Sequence, residues 1–475
     1  MPPEERIADM HWNLSLRGLF LFLCILLALG GAGVKAQNPL PVPSQPMPSA
    51  PPQQRLDNFP VLPPAAQPAE MPPLGPPSIG MAVANPGLTL AQLEQLALQM
   101  NPTLCQAAMR IQAANGQLEQ VGLYPNPVAG YSSEEMGTHG TAGKQGAFVS
   151  QEIVTAGKLK LNRAVVSQEV LQAQWAWQAQ MRRVLNDVRS NYYEVLYAQQ
   201  TIEINEQLVH IGEENLKTAE NLFAAKEVSR VDVLQAGVEA DTARIQLENA
   251  RNRHQSVWRR LTAVIGMPEM APVALAGRLE DSPPQFEWNT ALEQILAASP
   301  QLAEARAGMD RARCQVDREY AERTPNVNLR TAIHYNNEIG ENIAAVEVGV
   351  PLPIFNRNQG NIAKAQSQLI AAQNEVRRVE LELRQKFASI FEQYSNANGQ
   401  VQKYAGQILP NSVKTLDLVR SGYQQGEFNY QNLLISQRTY FQANLSYLES
   451  LRQLRLSAVA LEGLLLSGGL QSALD

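Results

Sequence analysis

The sequence predicts a mainly α-helical chain with a small β part, built twice from one unit: short helices, a β-hairpin, a long coiled-coil helix and a returning helix. Three observations predict it. The same punctuation recurs about 200 residues apart, apolar residues recur at every seventh position over a long stretch, and two short segments alternate apolar with polar residues. Self-similarity at a fixed distance means that one structural unit is used twice, so the repeat has to be found before the domains are drawn.

The punctuation comes first. Thr89-x-x-Gln92 reads as a capping box that opens a helix, and Thr290-x-x-Glu293 repeats it. Asn101-Pro102-x-Leu104 restarts the helix and is matched by Ser299-Pro300-x-Leu302. A polar N-cap followed by proline at the first helical position accounts for both. Those helices end at Tyr124-Pro125-Asn126 and Thr324-Pro325-Asn326, because proline drives the residue before it toward extended geometry.

Each copy then carries two extended segments. In the second copy Val327, Leu329, Thr331, Ile333 and Tyr335 alternate with Asn328, Arg330, Ala332 and His334, and Ala344, Val346, Val348 and Val350 alternate with Ala345, Glu347 and Gly349. Period 2 gives a strand one apolar and one polar face. Asn328, Arg330 and Glu347 therefore share a polar face, and Val327, Leu329, Val346 and Val348 an apolar one. Were the strands part of a membrane barrel, the first set is expected to face its lumen and the second lipid. The first copy, 126–135 and 146–154, alternates poorly, and its strands rest on the repeat.

Long helices are expected over 157–225 and 357–425. In the first, Met181, Val188, Val195, Ile202, Val209, Leu216 and Phe223 hold a spacing of seven, the mark of coiled-coil packing. Such a helix is about 100 Å long. The second keeps Val376, Leu383, Ile390, Ala397 and Tyr404, then falters near Pro410, where a kink is expected. Sharp turns at 225–229 and at Gly426 lead into returning helices over 229–265 and 428–466.

The ends of the chain read differently. Arg17, the apolar run Leu19 to Leu29 and Val34-Lys35-Ala36 make residues 1–36 a signal peptide, too short in its apolar core to span a membrane. Residues 37–85 are a linker; fifteen prolines between Pro39 and Pro77 keep it extended. Repeats follow over 86–280 and 281–467, and 468–475 is a C-terminal tail.

Composition and spacing argue against several functions. A net charge of −6 with mixed signs lacks the basic face of a nucleic-acid binder. Cys105 and Cys314 have no metal-ligand spacing and are expected to be small buried thiols. His139, His210, His254 and His334 show no H-x-x-x-H or H-E-x-x-H pattern, and His139 and His334 fall in or beside the hairpin loops, where polar surface residues are usual. Glu134-Glu135 are adjacent and so point to opposite faces of a strand. Neither a phosphate-binding loop, a cofactor motif nor a catalytic constellation is found. The readings left open are a membrane duct, an exported coiled-coil scaffold and, with no constellation to support it, an exported enzyme.

Four strands cannot close a membrane barrel, and bare edges cannot sit in lipid, so copies must pool their strands. Dimers and trimers both satisfy that arithmetic. At this point the duplicated plan resembles the TolC-like outer-membrane efflux proteins over nearly all of 86–466. Pro351-Leu352-Pro353-Ile354-Phe355-Asn356-Arg357-Asn358-Gln359-Gly360-Asn361-Ile362 is similar to the strand-to-helix junction of the cobalt–zinc–cadmium efflux subgroup. Leu123-Tyr124-Pro125-Asn126-Pro127 and Gln151-Glu152-Ile153 with Gly157-Lys158 are similar to its first-repeat junctions.

The resemblance implies a homotrimer with a twelve-stranded outer-membrane barrel, continued by a helical tunnel in the periplasm. It implies a periplasmic adaptor and an inner-membrane pump as partners, with passive export of heavy-metal cations. Organic compounds or secreted protein are the alternative cargo. It further implies a tip at Lys226, Glu227, Gly426 and Glu427 that meets the adaptor. Tyr423 falls at a gate tyrosine and Asp232 at its carboxylate partner, with Arg230 in reach of a neighbouring copy. The gate arginine's position holds Phe428, and Asn432 and Ile435 replace the second-repeat gate acids.

Overall fold

Polar caps and prolines set the helix starts in the computed structural model, which describes residues 87–137, 142–226, 228–281, 285–425 and 427–471. The expected signal peptide and linker lie outside the described residues, as do His139, Glu227 and Gly426. Helix α1 (Leu90–Met100) opens on the Thr89–Gln92 capping box. Helix α2 (Pro102–Gln120) follows with Asn101 as its cap and Pro102 in its first turn. Strands β1 (Val128–Met136) and β2 (Ala142–Ile153) form the first hairpin. Helix α3 (Lys158–Ala224) runs 67 residues without a break, and α4 (Arg230–Ile265) returns along it.

The second repeat has α5 (Trp288–Ala298), α6 (Pro300–Ala321), β3 (Val327–Asn336) and β4 (Glu341–Gly349). Its long helix is divided. Helix α7 (Gln359–Lys403) widens into a π turn over Tyr404–Ile408 before α8 (Leu409–Gln424). The cause is Pro410, which has no N–H and crowds the preceding turn. Leu409 N–H reaches back five residues to the Tyr404 carbonyl, so the expected kink takes the form of a π turn. Helix α9 (Tyr430–Glu462) returns from it.

One expectation fails at the start of the second repeat. Helix α5 begins at Trp288 behind Glu287, so Thr290 is inside the first turn and is not a cap. Its hydroxyl donates to the Glu287 carboxylate instead. The pull is aromatic: Trp288 meets Phe387 and Phe391 edge-on, with centroids 4.8 and 5.0 Å away.

The strands form one antiparallel sheet in the order β1-β2-β3-β4, which leaves β1 and β4 as edges within the protomer. The core lies where the short helices wrap the long ones. Leu93 and Ala97 of α1 pack with Val188, Val195, Trp258 and Leu261, and Ile295 of α5 packs with Phe387, Tyr394, Leu454 and Leu461. Val188 and Val195 of the heptad stripe are fully buried, whereas Phe223 near the turn is exposed. Toward that turn the α3–α4 contact relies on small residues, with Ala236, Ala240 and Ala243 buried and Gly212 facing Ala240.

The tail is docked. Asn186 donates to the Gly463 and Leu466 carbonyls, Gln180 to the Gly469 carbonyl, and Asp187 accepts from Gly468 and Gly469 N–H. The cysteines differ from expectation too: Cys105 is exposed and Cys314 half-buried, because both lie on outward turns of α2 and α6.

Phe387 is fully buried among Trp288, Phe391 and α9. Phe387→Ala is expected to cost about 3–5 kcal/mol through lost transfer energy and the cavity left behind. Chemical denaturation of the detergent-solubilised protein measures it.

Candidate functional site: a two-faced sheet and two hairpin turns

The strand register sorts the side chains onto two faces. Arg330 lies opposite Glu347 on β4 and Ser150 on β2, and Asn328 opposite Glu152. His334 and Ser132 share this face, joined by a 2.7 Å hydrogen bond. The other face carries Leu329 opposite Val348, Thr331 opposite Val346, and Ile333 opposite Ala147 and Ala344. Asn328, Arg330 and Glu347 thus fall together on a polar face, and Val327, Leu329, Val346 and Val348 on an apolar one.

Along residues 331–336 of β3 the polar-face positions are buried and the apolar-face ones exposed, whereas Asn328 and Glu347 are exposed. Val346 is 70% exposed and Ile333 54%, whereas His334 is 6% exposed. His334 lies in β3 as its alternation implied, but it is buried where an exposed polar residue beside the loop was expected.

Phe148 is the aromatic exception on the polar face. Its ring lies over Gly130, where a Cβ would collide with it, and the Arg330 guanidinium stacks 4.2 Å from its centroid. The poor alternation of the first repeat hid this pair. At the hairpin end Glu135 adopts a positive φ, and its carboxylate accepts from Lys144 at 2.5 Å.

Below the sheet both strand-to-helix corners use a left-handed residue, Gly157 (φ 66°) and Asn358 (φ 59°). Asn358 donates from its side chain to the Glu319 carboxylate at 2.6 Å and to the Glu319 carbonyl at 2.9 Å. Arg318 and Gln315 hold the other carboxylate oxygen. Burial would raise the Glu319 carboxyl, but Asn358, Arg318 and Gln315 outweigh it and keep it below the usual carboxylate value. At the first corner buried Lys158 donates to Asn326, and Asn326 donates to Glu152. Thr155 donates to the Pro325 carbonyl, so the first repeat's corner is clasped by the second repeat, whereas the second corner is held by Glu319 of its own repeat. Nothing in spacing marked Glu319, Lys158 or Asn326 for this work.

At the far ends the turns are matched. Ser229 and Asp232 form a capping box at the start of α4, with Ser229 N–H and hydroxyl both donating to Asp232 Oδ2. Asn429 caps α9 by accepting from Asn432 N–H. Lys226 takes a positive φ of 65°, the conformation that favours glycine. Glu427 N–H closes the second turn on the Gly422 carbonyl, with Phe428 packed over Gly422. Arg230 is exposed at the first position of α4.

Tyr423 faces Tyr430, with ring centroids 6.3 Å apart. The Tyr430 hydroxyl is buried without a partner among the described residues. Burial, reinforced by Tyr423 and Asp232, pushes Tyr430 above its ordinary value. Tyr423 and Tyr430 therefore lie together at the second turn, and Tyr430 is the member that spacing missed. Above it, Arg438 pairs with Glu239 and Asn215 donates to Gln437, joining the two hairpins. Among the described residues no three His, Cys, Asp or Glu side chains are grouped to hold a metal ion, and no helix is long and apolar enough to cross a membrane.

Comparison with known proteins adds three findings. The family model "Outer membrane efflux protein" matches residues 93–267 and 291–465, one match for each repeat. The cobalt-zinc-cadmium resistance protein CzcC of Cupriavidus metallidurans is 29% identical over 384 residues, 80% of this chain and 90% of that one. Among solved structures, VceC of Vibrio cholerae aligns with a TM-score of 0.67 at 17% identity, over 80% of this chain and 96% of that one. The open-state MtrE channel of Neisseria gonorrhoeae aligns at 0.63 and 18%, over 81% and 90%.

Two outcomes follow from this geometry. Single cysteines placed along 327–335 should react alternately with water-soluble and lipid-soluble reagents, the water-soluble one marking 328 and 330. Uniform reaction with the water-soluble reagent would contradict the two-faced strand. Glu319 has a depressed folded pKa, so its contribution is fully present above the ordinary value of 4.5 and is lost as pH falls through the lower folded one. Glu319→Gln should lower stability at neutral pH and flatten the acid limb of the stability profile.

Proposed function

This chain belongs to the outer membrane efflux protein family, a channel and not an enzyme, and we propose that it works as a homotrimer exporting heavy-metal cations. The observation that carries the proposal is the open four-stranded sheet, apolar on its exposed face and unpaired at both edges. Edge β4 of one copy pairs with edge β1 of the next, head to tail, until the ring closes. Two copies would give eight strands, whose interior side chains fill, whereas three give twelve and leave a bore. The long helices support the same closure. Val231, Leu234, Val238 and Ile245 form an exposed apolar stripe on α4, and Leu418 is exposed on α8. These helices pack principally on α3 and α9, so each has a face free for the next copy.

Asn328, Arg330 and Glu347 then line the barrel lumen. Below it the helices form a periplasmic duct whose turns, Lys226, Glu227, Gly426 and Glu427, meet an adaptor that links the duct to an inner-membrane pump. Energy comes from that pump, and passage through this chain is passive. Heavy-metal cations as cargo rest on the likeness to the cobalt-zinc-cadmium resistance protein and on the junction Pro351–Ile362.

The gate lies at Tyr423 and Asp232, with Arg230 beside it. The α4 cap uses Asp232 Oδ2, so Oδ1 is the oxygen that takes the Tyr423 hydroxyl in the closed ring. One such bond to a charged group contributes about 1.5–3 kcal/mol, and three copies hold the tip shut.

Deletion of the gene from its host should lower tolerance to cobalt, zinc and cadmium, and the intact gene should restore it. Unchanged tolerance to all three metals would remove the cargo assignment while leaving the channel. In planar bilayers, Tyr423→Phe combined with Asp232→Ala should give larger conductance and lower cation selectivity than the unaltered protein. Unchanged values in both would reject the latch.

A further inference from the structure

The two repeats leave the sheet by corners of unequal length. Four residues, 154–157, connect β2 to α3, whereas nine, 350–358, connect β4 to α7. The first corner shows that four residues suffice for the geometry. The five extra in the second corner therefore answer to something other than chain closure. They are also apolar and uncovered: Leu352 is 76% exposed, Ile354 61% and Phe355 89%. No charged residue occurs between Glu347 and Arg357.

The exposed residues continue an existing row. Val346 and Val348 stand on the apolar face of β4, and Val350, Leu352 and Ile354 keep the same alternation past the end of the strand. The backbone is suited to an apolar surrounding as well. Pro351 and Pro353 have no N–H to leave unpaired, and Ile354 N–H is satisfied locally by the Leu352 carbonyl at 2.9 Å. Those prolines also prevent the segment from adding a strand to another copy, which argues against a second chain as its cover. At its end Phe355 is followed by Asn356, Arg357 and Asn358, an aromatic-to-polar boundary of the kind found at membrane interfaces, where a cationic side chain meets anionic headgroups.

We propose that residues 350–355 form a lipid-contacting collar, which extends the apolar band of the barrel into the periplasmic interface of the outer membrane. The proposal rests on the barrel reading above. In the closed ring the collar occurs once per protomer, and it fixes the depth at which sheet gives way to helix. Phe355 sets the lower limit of the band, and Arg357 meets lipid phosphate.

The test uses the full chain in a Cys24→Ser, Cys105→Ser, Cys314→Ser background, reconstituted in phosphatidylethanolamine–phosphatidylglycerol vesicles. An environment-sensitive fluorophore is attached at Leu352→Cys or Phe355→Cys, with Val346→Cys as the mid-sheet control. Bromine-bearing acyl chains serve as the lipid-side quencher and iodide as the aqueous one. The collar requires both corner labels to be quenched by brominated lipid as the Val346 label is, and to be spared by iodide. Quenching of the corner labels by iodide alone would overturn it, as would protection from both quenchers, the sign of cover by a second copy. Loss of lipid quenching at Val346→Cys itself would instead bring down the barrel reading.

Discussion

Every backbone N–H and carbonyl in a membrane interior needs a partner, and this chain alone cannot supply them all for its sheet. Strands β1 and β4 each keep one edge without a neighbour. The remaining features follow from that shortage. One face of the sheet is apolar, as lipid requires, the other is mainly polar, as water requires, and α4 and α8 each present an uncovered face. A protomer built this way is complete only as part of a ring.

Duplication supplies the geometry, and the departures from it are informative. Both corners use a left-handed residue, and both returning helices start on a side-chain cap, at Ser229 and Asn429. The repeats part company where conformational freedom differs. Helix α3 is continuous, while its counterpart is interrupted by the π turn before Pro410. The corners differ in length, and only the longer one is apolar. Between the repeats, Lys158 with Asn326 and Thr155 with Pro325 tie the corner between β2 and α3 to the junction of α6 and β3.

Much of this plan is legible in the sequence because it is written in local chemistry. Asn101 and Ser299 before proline, the stripe through Val188 and Val195, and the alternation from Val327 to Tyr335 each act within a few residues. What could not be read depends on partners distant in the chain. Glu319 is recognisable only once Asn358 lies against it, and Phe148 only once Arg330 of the next strand stacks on it. Thr290 misled because its capping pattern is outweighed by the aromatic contacts of Trp288, a tertiary effect. His334 is legible as a polar-face strand residue, but its burial depends on Ser132 of a distant strand. Near the second turn, the buried hydroxyl of Tyr430 beside Tyr423 had no signal in spacing.

The central claim is that β4 of one copy pairs with β1 of the next in a ring of three. It is tested by cysteines at Ala129 and Val346, on the two edge strands, in the Cys24→Ser, Cys105→Ser, Cys314→Ser background. Oxidation in the outer membrane should produce a ladder that ends at a covalent trimer on denaturing gels, with a trimer band that migrates as a closed ring. A ladder that stops at dimer, or no cross-link at any position shifted along β1, would contradict the account.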